Sequence, residues 1–103
     1  MMLLTKKIKE TLPKLYDQEE VTDPIAYVKF FTPDAGWTWY VTEGQYKEEE
    51  GDWYFFNKCV SPMCPDGELG YTTLGQLEEV RGALNLPVER DLYFDPKPLS
   101  QCK

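Results

Sequence analysis

The feature that most constrains the fold is a dense block of aromatic residues in the first half of the chain. Eleven of the 15 Phe, Trp and Tyr residues lie between Tyr27 and Phe56. In residues 37–42 large apolar side chains recur at every second position, which is the period of a β-strand. Because buried aromatic side chains contribute strongly to stability, we predict that this block forms core strands. A stacking platform for single-stranded nucleic acid is the alternative, but such platforms are framed by Lys and Arg, and the block holds few of either.

Apolar periodicity and turn residues predict two helices and further strands around this block. The first helix spans residues 5–12, with Thr5 as its N-cap and Pro13 after its end. The second follows Thr73, which with Gln76 matches a capping box, and extends to Gly82 or Asn85. Strands are predicted over residues 25–32, 37–42, 52–60, 69–72 and 88–94, with a loop over residues 61–67.

These elements predict an α+β fold, in which a small antiparallel sheet of about four to five strands is covered on one face by two short helices. The length of 103 residues is that of one domain, which we assign to residues 1–103. Pro96 and Pro98 predict a short irregular tail from about residue 95.

Composition excludes several classes of function. The sequence contains no histidine, which excludes Ser-His-Asp and Cys-His nucleophilic sites and His-ligated metals. A net charge of −7 argues against direct binding of nucleic acid through phosphate neutralisation. No apolar run approaches the roughly 20 residues that span a bilayer, and an odd count of three cysteines fits a reduced protein, so we expect a cytoplasmic location.

The acidic charge is unevenly distributed. Residues 1–16 carry four lysines and one glutamate, whereas the other 87 residues carry 17 acidic and seven basic side chains. A dense acidic run follows the second predicted strand, and such a run is either a solvated loop or a patch that attracts a basic protein surface. The candidate contact residues are Glu43, Glu48, Glu49, Glu50 and Asp52. Glu89 and Asp91, at alternate positions of the last predicted strand, form a second candidate.

The sequence also offers two metal sites as alternatives to a protein-binding patch. Cys59 and Cys64, with Cys102 and Asp66, would be an uncommon zinc ligand set, and ordinary thiols explain these cysteines more simply. Glu89 and Asp91, together with Glu78 or Glu79, would be the metal ligands of a Mg²⁺-dependent nuclease. Since nothing in the spacing distinguishes that site from a solvated surface, we predict no catalytic residues, no bound metal and no cofactor.

Seven blocks of the sequence resemble a family of small uncharacterised proteins, DUF 2958. In order along the chain, the blocks are residues 3–5, 12–16, 28–33, 37–40, 68–71, 77–82 and 87–94. They cover nearly the whole chain, whereas the stretch from Lys58 to Asp66 departs from the family pattern.

The resemblance implies a genomic context of phages, plasmids and conjugative elements, and some members carry the label of single-stranded-DNA endonuclease. Combined with the acidic charge, this context suggests a non-catalytic protein that binds other proteins. Its most concrete form is an anti-CRISPR-like inhibitor that blocks the basic DNA-binding surface of a Cas nuclease. The alternatives are a metal-dependent single-stranded-DNA endonuclease and an adaptor in plasmid transfer. We expect a monomer or small homo-oligomer, with no contact to membranes.

Overall fold

The aromatic block forms the centre of an antiparallel sheet in the computed structural model, which describes residues 2–102. The strands of this range are, in chain order, Ile25–Ala26 (β1), Val28–Phe31 (β2), Thr38–Lys47 (β3), Asp52–Ser61 (β4), Cys64–Thr73 (β5), Glu89–Arg90 (β6) and Lys97–Pro98 (β7). The helices are Lys6–Thr11 (α1), Leu74–Glu79 (α2) and a 3-10 helix, Leu99–Gln101. The predicted α+β class is confirmed.

Five of the strands form one sheet in the order β5-β4-β3-β2-β6, and β1 pairs with β7 in a separate two-stranded sheet. All of these pairings are antiparallel. The ten-residue strands β3, β4 and β5 form a meander of two hairpins, as expected for neighbouring strands joined by short turns. Within residues 2–102, the helices are all too short or too polar to cross a membrane.

One face of the large sheet packs against both helical segments. Phe30, Val41 and Phe55 are fully buried on this face, where they form a single cluster with Leu12, just after α1, and Leu77 of α2. Thr5 caps α1, and the capping box of Thr73 and Gln76 begins α2, as the sequence predicts. The prediction that two short helices cover one face of the sheet is therefore confirmed.

The opposite face is covered in part by the C-terminal segment, which is not irregular as predicted. Ile25 pairs with Pro98, and Leu99 and Cys102 are buried against Ala26. Pro98 is compatible with a short edge strand because the outer side of an edge strand has no neighbouring strand to which an N–H group must donate. The burial of two apolar side chains then fixes the segment in place.

The predicted loop over residues 61–67 is also wrong, because β5 already begins at Cys64. The strand can start there since it lies at the edge of the sheet, where Pro65 and a glycine with φ of 86° at Gly67 are tolerated. β5 therefore presents ten residues rather than the four predicted.

The second helix ends earlier than predicted, at Glu79, and Leu84 lies outside it with 74% of its surface exposed. The chain is already extended at Val80, and beyond it the Asp34 carboxylate accepts a 2.7 Å hydrogen bond from the Leu84 amide, so residues 82–86 form a turn and not a further helical turn. A Cβ at Gly82 would lie 1.7 Å from this carboxylate, so the turn requires glycine there. The last strand of the large sheet is likewise short, only Glu89–Arg90.

Candidate binding cleft

The predicted acidic patch is divided by the structure. Glu48, Glu49 and Glu50 are all exposed on the turn between β3 and β4, and we call these three residues the acidic turn. Glu43 and Asp52 lie within the strands that flank it, and both carboxylates accept hydrogen bonds from backbone amides. Of the five residues predicted as one patch, the structure brings three together on an open surface.

Glu43 is buried, with only 4% of its surface exposed, so its assignment to the exposed patch is wrong. A shift in register between Val41 and Glu43, where β3 pairs with β4, turns Glu43 away from the helix-covered face. Its Oε1 accepts a 2.8 Å hydrogen bond from the Tyr16 amide, and its Oε2 accepts one of 2.7 Å from the Gln18 amide. Glu43 therefore anchors the segment that precedes β1.

Asp52 has a structural role at the start of α2. Its Oδ2 accepts a 3.1 Å hydrogen bond from the Gly75 amide in the first turn of that helix, and its Oδ1 accepts one of 2.8 Å from the Trp53 amide. A carboxylate at this position also interacts favourably with the helix dipole. Asp52 therefore joins the start of β4 to the start of α2.

The second predicted pair, Glu89 and Asp91, does not share a strand, because β6 ends at Arg90. Asp91 instead accepts a 2.9 Å hydrogen bond from the Tyr93 amide and lies 3.7 Å from the ammonium group of Lys29. The two other carboxylates of the nuclease alternative, Glu78 and Glu79, are exposed on α2. Within residues 2–102, no group of three or more Cys, Asp or Glu side chains is placed to hold a metal ion.

Of the three cysteines of the zinc alternative, Cys59 and Cys64 lie on the paired strands β4 and β5, whereas Cys102 lies in the C-terminal segment. Cys59 and Cys64 are each partly exposed, and Cys102 is buried against Ala26 and Leu99. Burial raises the pKa of the Cys59 thiol, and burial is also the main cause that raises the pKa of Cys102. The thiol forms are thus favoured over the thiolates that bind zinc.

A cleft of about 560 Å³ lies on the face of the sheet opposite the helices. Its floor is the β3–β4–β5 meander, including Phe56 and Lys58, and its walls are the segment before β1 and the 3-10 helix. Most of its surface is apolar, with Leu69 and Tyr71 of β5 exposed along one side by 60% and 52%. The volume lies within the range of roughly 300–1,000 Å³ that is usual for binding clefts.

Tyr16 stands at the mouth of the cleft in a strained backbone conformation. Its φ is 75°, a left-handed value that costs an ordinary residue about 1–2 kcal/mol. The Glu43 carboxylate holds the Tyr16 amide in this position, while 59% of the Tyr16 surface remains exposed. The fold therefore stabilises an exposed aromatic side chain in a conformation that the chain alone would avoid.

Gln18 fixes the same segment through its side-chain amide. Its Nε2 donates to the carbonyls of Ile25 and Thr42, at 3.0 and 2.8 Å, and its Oε1 accepts from the Ile25 amide at 2.8 Å. These bonds join the wall of the cleft to both β1 and β3. The cleft is thus preformed by a network that begins at the buried Glu43.

Tyr16 and Tyr71 interact across the cleft. A hydrogen bond with the Tyr16 side chain is the main cause that raises the pKa of the Tyr71 hydroxyl above its usual value. Phe56 on the floor contacts the Tyr71 ring edge-on, with a centroid distance of 5.1 Å. Together the three rings form an aromatic surface open to solvent.

Asp23 joins the wall of the cleft to the 3-10 helix, and two hydrogen bonds from Ser100 hold the pKa of its carboxyl below the ordinary 3.8. A lowered folded-state pKa means that this contact stabilises the fold above the ordinary value and is lost as the pH falls through the lowered one. We expect Ser100→Ala to raise the pKa of Asp23, because the hydroxyl donor is removed. An NMR titration of the Asp23 carboxyl in both proteins measures this change, and an unchanged pKa would contradict it.

The sequence pattern does not predict the cleft, because the residues that form it are far apart in the chain. Tyr16, Gln18 and Glu43 are separated by up to 27 positions along the chain. Each resembles an ordinary surface residue when taken alone. One signal in the sequence does point to Glu43. It lies two positions after Val41, so an unbroken strand would direct its charged side chain into the core, and this conflict indicates an irregularity in the strand.

No curated protein and no solved structure is significantly similar to the chain. The family model described as "Protein of unknown function (DUF2958)" matches residues 3–102, which include every strand, both α-helices and the residues of the cleft described above. The predicted resemblance is confirmed, and the chain belongs to the DUF2958 family.

Proposed function

We propose that this protein is a non-catalytic binding domain that docks on a basic surface of another protein. The observation that carries the proposal is the exposed Tyr16, held by the buried Glu43 in a strained conformation at the mouth of a mostly apolar cleft. Strained residues persist where surrounding contacts hold them, and they concentrate at functional sites. Exposed tyrosines beside apolar pockets are typical anchors of protein interfaces.

The charge of the chain supports a basic partner. The formal net charge is −7, and the acidic turn places three carboxylates at the tip of the β3–β4 hairpin. Such a distribution accelerates encounter with a positively charged surface and disfavours acidic partners. The most concrete version of the function is an anti-CRISPR-like inhibitor in the cytoplasm that covers the DNA-binding surface of a Cas nuclease.

Reversing the acidic turn tests the electrostatic part of this proposal. We expect Glu48→Lys, Glu49→Lys and Glu50→Lys combined to slow association with a purified Cas effector by about tenfold at low salt, because steering is lost. The thermal unfolding midpoint should change little, since all three side chains are exposed. Association and dissociation rates measured by surface plasmon resonance at two salt concentrations separate steering from contact.

The matched control carries three reversals at exposed sites elsewhere, Glu78→Lys, Glu79→Lys and Asp95→Lys. Both triple variants change the formal net charge from −7 to −1, because each substitution adds two positive units. If both slow association equally, the position of the acidic turn is unimportant.

A nuclease assay tests the alternative. If no effector binds, while the protein cleaves single-stranded DNA with Mg²⁺ and Glu89→Gln abolishes the cleavage, the protein is a nuclease and the proposal is wrong.

A further inference from the structure

The outer edge of β5 borders the cleft and has no strand partner within residues 2–102. Exposed strand edges in natural proteins are usually protected by charge, proline or irregular pairing. The first half of β5 has all three: Pro65, Asp66 and an irregular register opposite residues 59–61 of β4. The second half, from Leu69 to Thr73, carries neither charge nor proline.

This unprotected half pairs regularly with β4, from Leu69 opposite Lys58 to Thr73 opposite Tyr54. Its two faces differ in chemistry, because successive side chains of a strand point to opposite faces. Leu69 and Tyr71 are exposed on the cleft face. Glu68 and Gly70 are on the other face, and a Cβ at Gly70 would meet no atom within 4 Å.

We infer that an extended segment of the basic partner pairs with residues 69–73 as an additional strand of the sheet. This inference rests on the proposed function and names how the partner is held. Main-chain hydrogen bonds supply affinity in this mode, and alternate side chains supply specificity. The complementary segment alternates apolar residues, which pack beside Leu69 and Tyr71, with basic residues, which face Glu68. A second copy of this chain is a poorer fit, because each copy carries a net charge of −7.

Amide hydrogen exchange on the full chain tests this inference with a synthetic probe. The probe is an acetylated heptapeptide of alternating valine and lysine, and the control is the same peptide with every backbone amide N-methylated. We expect the first peptide to slow exchange of the outward-facing amides in residues 69–73 by at least about tenfold, because they gain hydrogen-bond acceptors. The methylated peptide keeps its carbonyl acceptors, but it lacks N–H donors and its N-methyl groups prevent close approach to a strand edge, so it should not pair with β5 and should protect none of these amides.

Two variants at one open position complete the test. Gly70→Lys places a positive charge at the edge and should abolish protection by the peptide, whereas Gly70→Thr should retain it.

The inference is overturned if the first peptide leaves exchange of residues 69–73 unchanged, or if the methylated peptide protects them equally. If a Cas effector binds without protecting these amides, this inference fails while the proposed function stands. If the peptide protects them but no effector binds, the proposed function fails instead.

Discussion

Replacing Glu43 by alanine is expected to lower the free energy of unfolding by about 3 kcal/mol, because two partly buried amide donors lose a charged acceptor. Those donors are the amides of Tyr16 and Gln18, at 2.8 and 2.7 Å. Without the carboxylate, the Tyr16 amide loses the hydrogen bond that holds it in the left-handed conformation at φ of 75°, so the segment around Tyr16 should become more mobile even though Gln18 still joins it to β1 and β3. Urea unfolding measures the first effect, and faster exchange of the two amides measures the second.

Two further variants make this expectation specific. Glu43→Gln keeps the shape and one acceptor oxygen but turns an NH₂ group toward a backbone N–H, so we expect a loss of about 1–2 kcal/mol. Glu50→Ala removes an exposed carboxylate of the acidic turn and should change stability by less than about 0.5 kcal/mol. Equal effects of Glu43→Ala and Glu50→Ala would show that Glu43 does not anchor the cleft.

Phe55→Ala is expected to cost about 3–5 kcal/mol, because it opens a cavity in the centre of the helix-covered face. Phe55 has no exposed surface and packs against Phe30, with a centroid distance of 5.9 Å. The backbone at Gly44 also approaches the ring closely, since a Cβ there would lie 3.0 Å from it. A loss of this size is a large part of the roughly 5–15 kcal/mol by which domains are stable.

The neighbouring Phe56 is the matched control for this substitution. It points to the cleft face and is only half-buried, so Phe56→Ala should cost less than half as much. Chemical unfolding of both variants under the same conditions gives the comparison. A larger cost for Phe56→Ala would place the main core on the cleft face and contradict the account of the fold.

Local patterns were sufficient to predict much of the fold. The alternation of apolar residues predicts the strand that contains Trp39, and the spacing of Thr73 and Gln76 predicts where α2 begins. Both signals arise from residues close together in the chain. They succeed because neither depends on contacts made elsewhere in the fold.

The parts that sequence reasoning missed depend on distant contacts. Asp34 holds the turn after α2 by accepting a hydrogen bond from the amide of Leu84, 50 positions away. Burial of Leu99 and Cys102 orders a tail that prolines would otherwise leave irregular. Glu43 is a buried anchor and not an exposed residue because the pairing of β3 with β4 shifts register at this point. The number and spacing of charged residues carry no information about such a shift. The cleft depends on Glu43, and for this reason it could not be predicted.

Site-specific photo-crosslinking tests most directly whether the cleft binds a basic protein. The photoreactive residue p-benzoylphenylalanine would replace Tyr71 beside the cleft or, as the control, Tyr93, which is 93% exposed outside it. In cells that produce a Cas effector, we predict an adduct between position 71 and a basic surface of that effector, and none from position 93. Adducts from neither position, or equally from both, would contradict it.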